Sequence, residues 1–337
     1  MRIDLNYKLF KQKEFALSVL INISRKTREA LDVYWILARI TIPITIGAEV
    51  LSRLGAIEAI SPLFSPVMGV LGLPAELGLA WLTAMVVGIW GAVPLIFTLV
   101  PVTMLSTADV TVFSALILFA HGLPIEQKII AKAGPSFLIT TMLRIIGGLL
   151  FGFALHHFLT ITGWLAEPVN PVWIPISETL AWQDFFFALA EAMAWMLIIL
   201  VGLFWMLEIL KVSGVMTILL AVLSPMLRLA GIKREASYLT TVGLFLGISY
   251  GAGLLINESK SGNISPRQIF LSCIFMGFAH SVIEDTLLVM ALGADIYSVL
   301  IGRLIFAIIA TALIAAFLQR ISDAAFFTTA FSASAKR

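Results

Sequence analysis

Two stretches decide the fold: Phe119-Ala-His121-Gly-Leu-Pro-Ile-Glu126 and, 159 positions further on, Phe278-Ala-His280-Ser-Val-Ile-Glu284-Asp285. Each sets a histidine and an acid inside an otherwise apolar run. Working outward at the same offset, Glu49 falls on Glu208, Gly55 on Gly214, and Ser65-Pro66 on Ser224-Pro225. Gly72 meets Gly231, Glu76 meets Glu235, Gly88-Ile89 meets Gly247-Ile248, and Ser106 meets Ser265. Further along, Gly134 meets Gly293 and Arg144 meets Arg303, with one gap near Gly91 and Gly251 that absorbs Tyr250. Apolar segments coincide by chance at Leu, Ile and Ala. They rarely coincide at His, Arg, Glu and a Ser-Pro pair in one register, so the chain reads as a duplication. It divides into an N-terminal segment (1–34), a first repeat (35–158), a linker (159–193), a second repeat (194–318) and a tail (319–337).

Composition says where such a chain lives. Of 337 residues, 60% are hydrophobic and 12% charged, and the mean hydropathy is +1.02. A soluble domain carries about 25% charged residues. The runs 77–100, 137–158 and 296–318 are each long enough for a hydrocarbon core of about 30 Å. The expectation is an all-α integral membrane protein in contact with the lipid bilayer. The single cysteine, Cys273, excludes an intramolecular disulfide and any CxxC motif. Neither a phosphate-binding G-x-x-x-x-G-K-[ST] loop nor a dinucleotide G-x-G-x-x-G motif is present, so no nucleotide-driven engine is visible. Nucleic acid is not an expected partner. The charged N-terminus, followed by no short apolar run with a cleavage site, does not read as a signal peptide.

Each copy reads alike. A first helix (34–54, then 187–212) precedes a shorter apolar piece broken by Ser-Pro (56–71, then 215–230). A full helix (77–100, then 236–256) leads to an interrupted segment carrying the His motif (103–133, then 266–294). A last helix closes the unit (136–158, then 296–318).

Charge sets the orientation. Residues 1–34 hold Arg2, Lys8, Lys11, Lys13, Arg25, Lys26 and Arg28, and the far end holds Arg320, Lys336 and Arg337. The linker between the repeats has no Lys or Arg but carries Glu167, Glu178, Asp184, Trp164, Trp173 and Trp182. Both termini are therefore expected in the cytoplasm of a cell whose (inner) membrane holds the chain, with the linker outside. Each copy then crosses an odd number of times, and the repeats are inverted. Three crossings plus a re-entrant hairpin satisfy this, as do five crossings. Inverted repeats with interrupted helices are a common architecture of secondary transporters. Residues 9–24 read either as a helix on the inner surface or as a solvated tail.

The His motifs are the strongest chemical signal, because ionisable groups in hydrocarbon face a cavity or one another. His280 and Glu284 share a face if their helix is unbroken, whereas Gly122 and Pro124 interrupt the first copy. His121, Glu126, His280, Glu284 and Asp285 are the candidate solute-binding residues. Among them His121, His280, Glu284 and Asp285 are the candidate ligands of a divalent metal, carried as substrate rather than as a resident cofactor. A proton relay is the other use of such a set. The bland reading is that each His caps a broken helix through backbone bonds. Gly88 and Gly91, matched by Gly247 and Gly251, mark breaks of the kind that line transport sites, or else close helix packing. Glu49 and Glu208 are second-rank candidates, and Glu258 reads as a loop charge. Arg144 and Arg303 read as structural partners of an acid such as Glu126 or Asp285. His156-His157 reads as interfacial.

The duplicated unit, with Gly88-Ile-Trp-Gly-Ala-Val-Pro94 and Phe278-Ala-His-Ser-Val-Ile-Glu-Asp285, resembles the nucleoside-recognition, or Gate, domain family. Its relatives include the membrane part of FeoB-type ferrous iron permeases and the concentrative nucleoside transporters. The resemblance spans 35–318 and is closest to the stand-alone, YjiH-like proteins. Gly88 to Pro94 looks like the Gly-x-Gly-x-x-Val-Pro stretch of the FeoB-type gate, with altered spacing and with Gly91 or Ala92 where that gate has cysteine. The resemblance implies a transporter of paired inverted gates; without a GTPase domain, energy comes from an ion gradient or a partner. A permease rather than an enzyme is expected, moving a small polar or ionic solute. A divalent metal such as ferrous iron is slightly favoured; Gln127, Asn257 and Ser249 are contacts for a nucleoside-like alternative. A non-transporting subunit docked to a partner membrane protein or to a second copy is the remaining reading.

Overall fold

The computed structural model describes residues 2–172 and 181–331, with side chains at most positions from residue 24 onward. Trp173, Glu178, Lys336, Arg337 and the side chains of Arg2, Lys8, Lys11 and Lys13, on which part of the orientation argument rests, lie outside the described residues.

Among the described residues the regular structure is helical, joined by short turns and loops, with no strand beyond isolated bridges such as Ser106 with Pro168. In the first copy α1 (Arg2–Arg53) is followed by short α2 (Ala56–Ile60) and α3 (Ser65–Val70), then α4 (Leu77–Val87), α5 (Ile89–Leu99), α6 (Thr107–Phe119), α7 (Leu123–Lys132) and α8 (Phe137–Thr162). In the second, α9 (Trp182–Val212) leads to α10 (Val215–Leu229), α11 (Arg234–Tyr250), α12 (Ala252–Ser261), α13 (Pro266–Ala279) and α14 (Glu284–Ala291). A π-helical turn, Tyr297–Gly302, then runs into α15 (Arg303–Leu318), and α16 (Asp323–Thr329) follows.

The backbone repeats at the sequence offset. Positive φ occurs at Gly55 and Gly214 (70° and 76°), at Gly72 and Gly231 (67° and 82°), and at Gly134 and Gly293 (117° and 100°). The same holds for Gly88 and Gly247 (121° and 82°) and for Gly122 and Ser281 (57° and 48°). Matching breaks at matching positions are what a duplicated unit produces.

Six helical segments among the described residues are long and apolar enough to cross a bilayer: Ser24–Arg53, Thr107–Lys132 and Phe137–Thr162, then Trp182–Met206, Pro266–Ala291 and Tyr297–Leu318. Their burial sorts them into layers. The two that carry the His motifs are 72% and 78% buried, against 28–39% for the other four. α6 and α13 are therefore the centre of the molecule, and α8 and α15 pack on them. α1 lies against α9 and α5. Outward faces carry Trp35, Ile36, Leu150, Ile198, Ile309 and Leu313, all exposed, as expected where the solvent is lipid. Phe119, Phe151, Phe278 and Phe306 fill the centre, with Phe119 5.7 Å from Phe278 and 5.4 Å from Phe306.

Two expectations are corrected, and the break marked by Gly88 and Gly247 is located. The 77–100 helix is two helices, α4 and α5, because Gly88 (φ 121°, ψ 171°) takes a conformation open essentially to glycine. Its partner α11 turns non-helical at Gly247 (φ 82°, ψ 167°). Ser-Pro breaks only the first copy's short piece: Ser224-Pro225 sits inside continuous α10. The first copy has a second proline, Pro62, four residues before Pro66, so two backbone donors are missing within little more than one turn. Lastly, residues 9–24 are neither a separate surface helix nor a tail; α1 runs through them into the first apolar span.

Candidate functional site

The chemistry gathers where both His motifs break. α6 stops at Phe119 and α7 begins at Leu123; α13 stops at Ala279 and α14 begins at Glu284. The carbonyls of a last helical turn need partners, and here side chains supply them. The Nδ1–H of His121 donates to Ile117 O at 2.8 Å, and that of His280 to Met276 O at 2.9 Å. Arg144 donates from Nε to Phe119 O at 2.7 Å and from Nη2 to His121 O at 3.1 Å. Arg303 repeats both bonds, to Phe278 O at 2.7 Å and His280 O at 3.1 Å, and reaches across to Leu118 O of the first copy at 3.0 Å. Cationic groups at helix C-termini also complement the helix dipole. Each break is tied to a neighbouring helix, through Gly122 N to Ala84 O and Val282 N to Leu244 O, both at 2.9 Å.

The imidazoles meet at the middle. His280 Nε2 lies 3.1 Å from His121 Nε2, and both rings are buried. Glu126 Oε1 is 3.3 Å from His280 Nε2 and 3.8 Å from His121 Nε2. Asp285 Oδ2 is 3.6 Å from His121 Nε2. The other oxygen of Glu126 accepts from Arg144 Nη1 at 2.5 Å. Acids in the first turn of α7 and α14 sit at the positive ends of those helices.

A cavity of about 220 Å³ opens onto this cluster. His121, Glu126, Glu284 and Asp285 line it, with Gly88, Gly247, Ser249 and Ser281 at the breaks and Val33 and Leu37 of α1 alongside. Gly247 is closely approached: an added Cβ would stand 2.4 Å from Ser281 Oγ, so that hydroxyl would have to turn away.

The structure thus brings together His121, Glu126, His280 and Asp285, with Glu284 on the same cavity, half-buried beside the Trp90 indole. His280 and Glu284 do not share a helix face. Ser281, at φ 48°, turns the chain between them, so they belong to different helices. Gly91 packs against Val87, and Gly251 borders a separate apolar gap. Of the polar candidates for a nucleoside, Ser249 lines the cavity, whereas Gln127 accepts from Thr140 Oγ1 at 2.6 Å. Glu49 is held by Arg53 at 2.6 Å, away from the cavity. Glu126 belongs to the tightest His-carboxylate group, and sequence reasoning left it out of the metal set. The 159-residue offset carries Glu126 onto Asp285, and that register was the signal.

Helices, burial and outward apolar faces define a multi-pass integral membrane protein. The comparison with known proteins agrees at that level: the chain is 26% identical over 298 residues, 83% of its own length and 90% of the relative's, to the uncharacterized membrane protein YvoD of Bacillus subtilis (strain 168). No family model matches the chain, and no solved structure matches it.

Proposed function

We propose that this chain is a permease, not an enzyme, in which a small polar or ionic solute passes between two inverted Gate-like repeats. The observation that carries the reading is the convergence of two duplicated His-acid breaks on one cavity, with His121 and His280 3.1 Å apart. Broken helices and buried ionisable groups in a membrane protein are characteristic of a solute path. Three long apolar segments per copy are compatible with the odd number of crossings that inversion needs, and the basic N-terminal segment favours cytoplasmic termini in the cell (inner) membrane. The likeness to Gate proteins, carried by Gly88 to Pro94 and the His motifs, points the same way. The cluster favours a cation over a nucleoside-like solute, because Gln127 is turned into Thr140.

Thiol labelling checks the path. In a Cys273→Ala background, Ser249→Cys is expected to react with a membrane-impermeant reagent from the aqueous phase, and saturating solute to slow the reaction. A thiol inert from both sides of the membrane, with and without solute, would remove the cavity from the path.

A further inference from the structure

The tautomers of the two histidines determine what the site can hold. A backbone carbonyl only accepts. Ile117 O and Met276 O, at 2.8 and 2.9 Å, therefore fix the proton of each ring on Nδ1. With both rings neutral, that leaves both Nε2 atoms as lone-pair donors, facing each other across 3.1 Å. Glu126 Oε1 adds a third lone pair, and Asp285 Oδ2 a fourth; the latter is buried and has no hydrogen-bond partner among the described residues. In that state four electron donors repel one another, and a cation at their centre reverses the sign.

We propose that this centre binds one borderline divalent transition-metal ion, of the class of ferrous iron or zinc. His121 Nε2, His280 Nε2 and Glu126 Oε1 form its resident ligands, and Asp285 is a fourth that closes on the ion. The edges of the resident triangle are 3.1, 3.3 and 3.8 Å. Tetrahedral coordination with bonds of about 2.0–2.1 Å asks for edges of roughly 3.3–3.4 Å. Nitrogen donors select against the hard ions magnesium and calcium. The partners behind the ligands are those a metal site uses: a carbonyl orients each ring, and Arg144 holds the far oxygen of Glu126. The two acids differ in freedom. Glu126 is fixed by Arg144. Asp285 does not pair with Arg303, whose Nη1 is likewise buried without a hydrogen-bond partner among the described residues, so no guanidinium holds Asp285 back from an ion. This names the solute of the proposed path and rests on that reading only for transport, not for binding.

The test is titration of the purified, metal-stripped full chain in detergent with cobalt(II), followed by its visible d–d spectrum, and with zinc by calorimetry. One ion per chain is expected, with a tetrahedral cobalt spectrum and no competition from excess magnesium. His121→Asn and His280→Asn are each expected to weaken binding more than about 100-fold, and Asp285→Asn about 10-fold, on the scale of known metal-site changes. A melting curve on each variant establishes that it is folded. Absence of stoichiometric binding, or binding indifferent to both His variants, would overturn the proposal and leave a shared proton as the centre's cation. Binding without vesicle flux would keep this proposal and reject the permease. Flux of another solute, lost in the His variants without metal binding, would do the reverse.

Discussion

The two His breaks are copies of one device that differ in two bonds, the Arg144–Glu126 pair on one side and the Arg303 bond to Leu118 O on the other. Both arginines clamp the same carbonyl pair, Arg144 on Phe119 and His121, Arg303 on Phe278 and His280. Only Arg144 also binds an acid, Glu126. Its counterpart Asp285 is shorter by one methylene and stays off Arg303. The structural half of the motif, the guanidinium that satisfies helix-end carbonyls, is the same at both breaks. The acids differ: Glu126 is held by a guanidinium, and Asp285 Oδ2 has no hydrogen-bond partner among the described residues. A symmetric pair of clamped acids would fix both sides of the centre; in the proposed metal site the unclamped acid is the one that closes on the ion.

The largest effect comes from cutting the clamped side. Arg144→Met leaves Glu126 charged, buried and unpaired, and is expected to cost about 3–5 kcal/mol. Arg303→Met removes carbonyl bonds but no ion pair, and is expected to cost about 1–3 kcal/mol. Melting of both variants in detergent checks the order, and equal losses would erase the distinction between the halves.

Next in size, Gly247→Ala combines a backbone conformation that costs about 1–3 kcal/mol for other residues with the 2.4 Å approach to Ser281 Oγ. Gly88→Ala meets open space and bears only the backbone cost. The melting temperature should fall further for Gly247→Ala, and a larger fall for Gly88→Ala would contradict the packing at the second break.

Asp285→Glu restores the missing methylene and copies the first half-site into the second. Pairing with Arg303 is expected to raise stability by about 1–3 kcal/mol, the range for hydrogen bonds to charged groups, and to weaken metal binding. Higher stability with unchanged binding would show that Asp285 is not a ligand.

The smallest effect is at the turn. Ser281 has the φ that Gly122 has in the first copy, 48° against 57°. A non-glycine residue there costs about 1–2 kcal/mol, part of which the greater freedom of an unfolded glycine offsets. Ser281→Gly is expected to stabilise by less than about 1 kcal/mol, and a destabilised variant would assign the Ser281 side chain a role beyond the turn.

Much of this was legible in the sequence, for a physical reason. A membrane interior makes polar residues expensive, so those at His121, Arg144, His280 and Arg303 stand out and align. The same pressure marked the breaks at Gly88 and Gly247. What stayed hidden depends on where a helix ends. The spacing of His280 and Glu284 suggested one helix face, and only the turn at Ser281 separates them. The two readings of the histidines were not alternatives either: Nδ1 caps a helix while Nε2 faces the partner ring, and a sequence does not show both ends of one side chain. Pro225 carries the same Ser-Pro signal as Pro66, yet α10 continues through it, because a lone proline in a helix is tolerated where a close pair is not.

The measurement that tests the central claim most directly is uptake of labelled ferrous iron by proteoliposomes, with and without an imposed proton gradient, for the wild-type chain and a His121→Asn, His280→Asn double variant. Saturable uptake by the wild type, lost in a double variant that still inserts and melts cooperatively, is the predicted result. Uptake no greater than that of empty vesicles, or equal in the two proteins, would contradict a cation path through the paired His breaks.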